Sequence, residues 1–212
     1  MKTFINTFLL LVSISIFAQK YENKLDSLIP AISSKLIKKG ITEFFFLSDN
    51  CRIELSGENI DTGEITEMPY NEFKVYVFIK NGNKISVQKF DNYNPRNKLK
   101  AYNPTILNNF KGFDIINKYS KKIKLEKVKN YGMYSNGKKA LIDFAVNCFT
   151  KFNFFQKSNT FQNEFFIMDI EKSTNSNVEN ENINFKYNSR LKLIKLFRLC
   201  EIEIENMENL TK

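Results

Sequence analysis

Phe73–Phe90 reads FKVYVFIK-NGN-KISVQKF, in which two runs rich in β-branched and aromatic residues flank an Asn-Gly pair. This pattern predicts a β-hairpin. A two-residue loop would align the valines of the first strand with Ser86 and Gln88, whereas a three-residue loop gathers the aliphatic residues on one face. The alternation therefore predicts the loop 81–83, with Gly82 or Asn83 at a positive φ. The expected core face is Val75, Val77, Ile79, Ile85 and Val87.

The opposite face of this hairpin is the candidate binding site. It combines aromatic rings with lysine side chains: Lys74, Tyr76, Phe78, Lys80, Lys84 and Phe90, together with Ser86 and Gln88. If exposed, such a face would suit a small anionic or sugar-like ligand, or a partner protein. The alternative is that a helix covers the face and that the lysine stems lie over its rim.

Composition indicates a globular domain with a positive charge that does not point to nucleic acid. The chain has 212 residues, 42% of them hydrophobic, which is enough for a sizeable core. The net charge is +9, and such a charge attracts anionic partners. It comes from 28 Lys and only 4 Arg, however, and Arg is the residue that recognises phosphates and bases through paired hydrogen bonds. We therefore expect no nucleic-acid partner.

The absence of histidine excludes several classes of site. Without His there is no Ser-His-Asp or Cys-His catalysis and no His-ligated metal. The acidic pairs that are close in sequence, Asp169 with Glu171 and the series 201–205, are typical of a solvated face. The acids of residues 49–67 fit no Ca²⁺ loop. The sequence thus identifies no catalytic residue and predicts neither a metal nor a cofactor.

Residues 1–18 are typical of a secretory signal peptide. Lys2 provides the charged end, Phe4–Phe17 the apolar core, and Ala18 the small residue before the cleavage point. We expect a mature chain that begins at Gln19, is periplasmic or secreted, and has no membrane span. Intact-mass measurement of the envelope fraction should find this chain, and a mature mass that still includes Met1 would contradict the prediction.

The rest of the chain, residues 19–212, predicts a single α+β domain. Apolar residues at helical spacing indicate helices near 24–39, 104–120 and 189–208, packed mainly on one face of an antiparallel sheet. In the first helix, Pro30 is expected either to cause a kink or to lie in the first turn, and Gly40 is expected to end the helix. Asn188 or Ser189 is the expected cap of the third helix.

The predicted sheet has about five to seven strands centred on the 73–90 hairpin. Short strands at 44–47 and 52–55 are expected to join around Asp49-Asn50, and a solvated acidic loop is expected to follow up to Pro69. Two further strands are predicted at 140–155 and 164–170, joined by a polar link. All these boundaries rest on alternation and on turn residues.

Two features admit mainly structural interpretations. The cysteines Cys51, Cys148 and Cys200 leave at least one unpaired or paired between chains, and both a single disulfide and three free thiols remain open. A catalytic thiol is not expected because no imidazole is available to activate it. The lysine-rich run Lys118–Lys129 contains only Tyr119 as an aromatic residue and no Arg, which predicts a solvated segment rather than a phosphate site.

The short leader ending in Phe-Ala-Gln and the Lys-, Asn- and Phe-rich body resemble those of uncharacterised secreted proteins of Bacteroidota. The resemblance is one of leader and amino-acid composition along the chain and includes no functional motif. It implies an envelope or extracellular location. The favoured function is a non-catalytic binding or interaction protein. Two alternatives stay open: a periplasmic inhibitor or immunity-type protein that binds another protein, and a His-free hydrolase that uses carboxylates.

Overall fold

The computed structural model describes residues 24–58, 65–92, 99–135, 138–141, 147–157, 159–173 and 181–210. They form an α+β structure with an antiparallel sheet, as predicted. They divide into two compact units, one that ends at Gly40 and one that begins at Ile41. The predicted signal peptide lies outside the described residues.

The first unit contains helix α1, Lys24–Lys38. Pro30 lies inside this helix and not in its first turn, so that alternative is wrong. The helix ends as predicted. Gly40 has a φ of 77°, and its backbone N–H donates to Ile37 O at 2.9 Å. A left-handed residue just beyond a helix is the position where glycine costs least.

The second unit is built on a sheet that has seven antiparallel strands within the described residues, in the order β4-β3-β2-β1-β8-β9, with β5 also paired to β3. The strands are β1 (Glu43–Glu58), β2 (Ile65–Asn81), β3 (Lys84–Asp91), β4 (Lys100–Ala101), β5 (Thr105–Leu107), β8 (Asn147–Gln156) and β9 (Asn159–Phe166). A separate hairpin pairs β6 (Gly132–Ser135) with β7 (Lys138–Leu141). The predicted hairpin is the β2–β3 pair.

The loop of this hairpin has two residues, so the predicted three-residue loop is wrong. Asn81 pairs with Lys84 across Gly82-Asn83. Of the two residues expected to have a positive φ, it is Gly82 that does, at 59°, as the first loop residue of a type II′ turn does. The valine face of β2 therefore aligns with the even-numbered residues of β3. Alternation failed to indicate this register because both faces of β2 are buried: Val77 on one face and Phe78 on the other are each 0% exposed.

Strand β1 runs without interruption through Asp49-Asn50, where the sequence predicts a turn. The acidic segment expected to form a loop thus contributes much of its length to β1 and β2. Asp49 stands opposite Lys74 on β2 and Thr150 on β8, and Thr150 Oγ1 donates to Asp49 Oδ1 at 2.8 Å. Cross-strand partners of this kind accommodate a carboxylate in the middle of a strand.

Helices α2 (Gly112–Leu125) and α4 (Lys192–Leu210) share one buried cluster with the sheet face that carries Tyr76 and Phe78. Phenylalanine rings form its centre: Phe78 stacks on Phe45 at a centroid distance of 4.7 Å and on Phe110 at 5.1 Å. For Tyr76 and Phe78, the alternative in which helices cover the hairpin face is therefore the correct one.

The middle helix begins at Gly112 rather than at residue 104. The preceding residues form β5, in which Leu107 pairs with Ile85. Ile106, one of the apolar residues whose helical spacing predicts a helix here, is 66% exposed. The ring of Phe110 lies against Gly112 and leaves no room for a Cβ there. This segment therefore pairs with the edge of β3 instead of forming the helix that its apolar spacing predicts.

The C-terminal helix is divided into a short α3, Phe185–Asn188, and α4. Neither predicted cap caps α4. The backbone N–H of Lys192 donates to Glu126 Oε1 at 2.9 Å, and that of Leu193 donates to Glu126 Oε2 at 2.8 Å. A carboxylate at this position satisfies free N–H groups and complements the helix dipole. Because Glu126 comes from the end of α2, local sequence cannot reveal this cap.

The remaining strand predictions hold in part. Strands β7 and β8 cover the described portion of 140–155, and residues 142–146 lie outside it. Strand β9 ends at Phe166, and Ile167–Ile170 forms a 3₁₀ turn instead of continuing the strand. The link is shorter than predicted because β8 and β9 pair as far as Gln156 and Asn159.

Candidate functional site

A cavity of about 470 Å³ lies beside the sheet and α4, and we call it the carboxylate cleft. Its polar lining consists of four acids with a lysine, a tyrosine and a threonine: Asp49, Lys74, Tyr76, Thr150, Glu201, Glu205 and Glu208. Its apolar lining includes Leu47, Phe73, Phe149, Ile167, Phe197 and Ile204. This volume and this mixture of apolar walls with a few polar groups are typical of small-molecule sites.

Strand register and helix spacing bring these side chains together. Asp49, Lys74 and Thr150 form one cross-strand row of β1, β2 and β8, and Tyr76 is two residues beyond Lys74, so all four leave the same sheet face. On α4 the three glutamates follow one another at intervals of four and three residues, which places them on one stripe of the helix.

Glu208 is held by two donors from the sheet. Its Oε1 accepts hydrogen bonds from Tyr76 OH and from Lys89 Nζ, each at 2.7 Å. Lys89 Nζ also lies 3.5 Å from Asp91 Oδ2, which accepts a hydrogen bond from Tyr102 OH at 3.0 Å. Burial disfavours the charged form of Glu208, but the hydrogen bonds from Lys89 and Tyr76 outweigh it and lower the pKa of this carboxyl.

The two donors to Glu208, Tyr76 and Lys89, have raised pKa values. Burial, followed by the hydrogen bond to Glu208, raises the pKa of Tyr76, so the phenol stays protonated. Burial acts to lower the pKa of Lys89, but the hydrogen bond and charge of Glu208 prevail and raise it. Glu208 therefore enters the cleft as a charged group with a defined orientation.

The pKa values of Asp49 and Glu201 are raised, in contrast to that of Glu208. Burial raises the pKa of Asp49 in spite of the Thr150 hydrogen bond and the charge of Lys74. Burial also raises the pKa of Glu201, although Arg198 Nη1 donates to Glu201 Oε2 at 2.7 Å. Carboxyls with raised pKa values that line a cavity are candidates for ligand binding or proton transfer.

The structure brings only two of the six predicted site residues into the cleft. Lys74 and Tyr76 line it. Phe78 is 0% exposed within the core, and Lys80 Nζ forms an ion pair with Glu43 Oε2 at 2.9 Å. These four residues share the sheet face that the sequence assigned to them, but of the two that line the cleft only Lys74 is exposed, and Tyr76 belongs to its buried wall.

The other two predicted residues, Lys84 and Phe90, lie on the opposite sheet face because the loop has two residues. Lys84 is exposed and Phe90 is buried. The prediction that all six residues share one face is therefore wrong. The error comes from the register and not from the identity of the strands.

The acids of the cleft were not among the predicted site residues. The sequence places Asp49 in a loop and Glu201 and Glu205 on a solvated face, whereas the structure gathers them in one cavity. One signal was available: in the predicted C-terminal helix, Glu201, Glu205 and Glu208 lie on a stripe that also contains Phe197 and Ile204. A mixed acidic and apolar stripe indicates a partly buried helix face.

The described cysteines are placed for a structural role and not for catalysis. Cys148 is disulfide-bonded, and its backbone partner on β1 is Cys51. Cys200 is a free, fully buried thiol, and burial raises its pKa well above the usual value, which lowers its reactivity. The structure thus supports the single-disulfide alternative.

We expect the folded protein to leave a thiol reagent unreacted and the protein unfolded without reductant to react at one thiol per chain. The reason is that Cys200 becomes accessible only on unfolding, whereas the disulfide persists. Mass spectrometry after alkylation would measure both states. A reactive thiol in the folded protein, or none after unfolding, would contradict the prediction.

Comparisons of the chain with protein-family models, with curated proteins and with solved structures found no match. Among the residues that the structure describes, no group of three or more acids or cysteines is arranged to hold a metal ion. None of the described helices combines the length and apolar character needed to cross a membrane.

Proposed function

We propose that this protein is a non-catalytic binding protein of the periplasm or cell exterior, and that the carboxylate cleft holds a small ligand with a protonated amine and an apolar or aromatic body. The observation that carries the proposal is the convergence of four carboxylates on one cavity with apolar walls. The export predicted from residues 1–18 supports the location.

The charge balance of the cleft favours a cationic ligand. Among the described residues of the lining, Lys74 is the single cation, against four acids. Arg198 and Lys89 pair with Glu201 and Glu208 from outside the lining. No ion pair joins Glu205 to another described residue, and a bound ammonium group would supply one.

The apolar walls suit the body of such a ligand. Ile204 is partly exposed on the α4 stripe that carries the glutamates, and it lines the cleft beside Phe197. The Phe197 ring packs edge-on against Phe165 at a centroid distance of 5.1 Å, so this wall offers a supported surface for an apolar or aromatic group. An anionic ligand, one of the classes expected from the sequence, does not fit this cleft because it would meet four carboxylates.

Three probes with one shared body test the proposal: 2-phenylethylamine, 2-phenylethanol and phenylacetate, measured by calorimetry or NMR titration. We expect the amine to bind about tenfold or more tightly than the alcohol, since a charge-assisted hydrogen bond is worth roughly 1.5–3 kcal/mol. Phenylacetate should bind most weakly. Equal binding of all three probes, or no binding of the amine at millimolar concentration, would refute the proposal.

Site variants then locate the binding. Glu205→Gln and Asp49→Asn should each weaken amine binding severalfold, because each removes a negative charge from the lining. Glu203→Gln is the matched control, since Glu203 lies on the same helix but outside the lining. Amine binding should also weaken as the pH falls, because Asp49 and Glu201, whose pKa values are raised, lose their charge before ordinary carboxylates do.

The second candidate function is a His-free hydrolase. One observation favours it: two carboxyls with raised pKa values line the same cavity, and a general acid needs such a pKa. If a hydrolytic activity is found, Asp49→Asn should abolish turnover while a substrate analogue still binds. Retention of full activity in both Asp49→Asn and Glu201→Gln would exclude this candidate.

A further inference from the structure

A second and larger cavity, of about 1100 Å³, lies at the C-terminal end of α2, away from the carboxylate cleft. Five basic side chains line it: Lys121, Lys122, Lys127, Lys186 and Arg190. We call it the basic groove. Its residues come from two segments that are distant in the sequence, the run that ends α2 and the segment around α3.

The fold supplies the groups that the lysine-rich run lacks by itself. Lys118–Lys129 has no Arg and only one aromatic residue, which argues against a phosphate site when that run is considered alone. The segment around α3 brings Arg190, Lys186 and the ring of Tyr187 into the same cavity. Arg adds the planar, paired donors that suit phosphate oxygens.

The positive charge of the groove is not neutralised by neighbours. None of its five basic groups forms an ion pair with a described residue. Glu126 is the one acid among the lining residues that the structure describes. Both oxygens of Glu126 are occupied by the first backbone N–H groups of α4. An anion entering the groove would therefore meet unpaired cations.

The groove also has an apolar component. Leu125 is 78% exposed and Tyr187 is 44% exposed, and both line the cavity together with Ile183 and Leu191. Lys129 Nζ lies over the Tyr187 ring at 4.1 Å from its centroid, which holds the ring between cation and cavity. A simple ion such as inorganic phosphate would make no contact with this apolar surface.

The walls of the groove are held in place by the hydrogen bonds of one buried amide side chain. Asn188, which is 0% exposed, donates from Nδ2 to Lys129 O and to Asp169 O at 2.8 Å each, and its Oδ1 accepts from Lys129 N at 2.9 Å. Asn188 thus joins α3, which carries Lys186 and Tyr187, to the chain that leaves α2. A site whose walls are fixed before binding loses little entropy when a ligand enters.

We propose that the basic groove binds a ligand that combines a phosphate group with an apolar or aromatic portion. Lys186, Arg190 and the lysines of α2 would contact the phosphate oxygens, and Leu125 and Tyr187 would contact the rest of the ligand. A soluble phosphate ester and the headgroup region of an anionic phospholipid are two sources of this chemistry.

Three probes separate these sources: adenosine monophosphate, inorganic phosphate, and vesicles of phosphatidylglycerol compared with phosphatidylcholine. We expect adenosine monophosphate, the phosphatidylglycerol vesicles or both to bind more tightly than inorganic phosphate or phosphatidylcholine. Binding should weaken with added salt, since exposed charges are screened. Binding of the nucleotide alone identifies a soluble ester, and binding of the vesicles alone identifies a lipid headgroup.

The double variant Lys186→Glu with Arg190→Glu should weaken binding at least tenfold. Lys84→Glu with Lys138→Glu is the matched control, because it makes the same change in net charge at exposed lysines outside the groove. Lys121→Glu with Lys122→Glu tests the other wall if the first variant does not fold. Equal weakening in groove and control variants, inorganic phosphate binding as tightly as the nucleotide, or no binding of any probe would overturn the proposal.

Discussion

Phe78→Ala should lower the free energy of unfolding by about 3–5 kcal/mol, the usual effect of removing a buried phenylalanine ring. Phe78 is 0% exposed and stacks on Phe45 and Phe110, so its loss removes contacts to both the sheet and the segment that precedes α2. Denaturant unfolding of the variant beside the parent protein measures the effect.

Two further variants serve as comparisons for the stability loss of Phe78→Ala. Leu125→Ala should change stability by less than about 0.5 kcal/mol, because Leu125 is 78% exposed. Val77→Ala should cost about 1–3 kcal/mol, since Val77 is 0% exposed on the other sheet face. A loss below about 1 kcal/mol for Phe78→Ala would mean that the ring is not in the core and would restore it as a candidate ligand contact.

Asn188→Ala should be the second large effect, a loss of about 3 kcal/mol. The substitution removes the side-chain partner of Lys129 N and of Lys129 O, and it leaves Asp169 O with only the hydrogen bond from Asn182 Nδ2. Asn188 is 0% exposed, so water does not readily replace the lost amide, and unpaired buried polar groups are costly. Thermal and denaturant unfolding would measure the loss.

Asn184→Ala is the matched control for this prediction. Asn184 Nδ2 donates to Asn130 O at 2.8 Å in an exposed position, so its loss should cost less than about 1 kcal/mol because water can take its place. Equal effects of the two substitutions would show that the buried position of Asn188 is not what makes its hydrogen bonds important.

The candidate site could be predicted from sequence only where local pattern was sufficient. Lys74 and Tyr76 could be predicted as neighbours because alternation along one strand places them on the same face. Phe90 was misplaced because its face depends on the loop length of the hairpin, and a slip of one residue reverses every side chain. Asp49 was missed because its partners, Lys74 and Thr150, come from other strands.

The basic groove shows the same limit. The lysines of α2 are visible in the sequence, but only the folded chain brings Arg190 and Tyr187 beside them, where Asn188 and Asn184 hydrogen-bond to the chain that follows α2. Residues so distant in sequence share a site only after folding. Composition therefore favours a solvated lysine-rich run, whereas the structure presents a lined cavity.

The α+β class, the β2–β3 hairpin, a positive φ in its loop and the end of α1 at Gly40 could all be predicted from sequence, because they depend on local periodicity and on the freedom of glycine to adopt left-handed φ angles. The hairpin register, the continuity of β1, the cap of α4 by Glu126 and the lining of both cavities became visible only in the folded chain. Partners from distant segments set these features, because a sheet buried on both faces carries no alternation signal and a buried acid or amide is stable only beside the group that satisfies it.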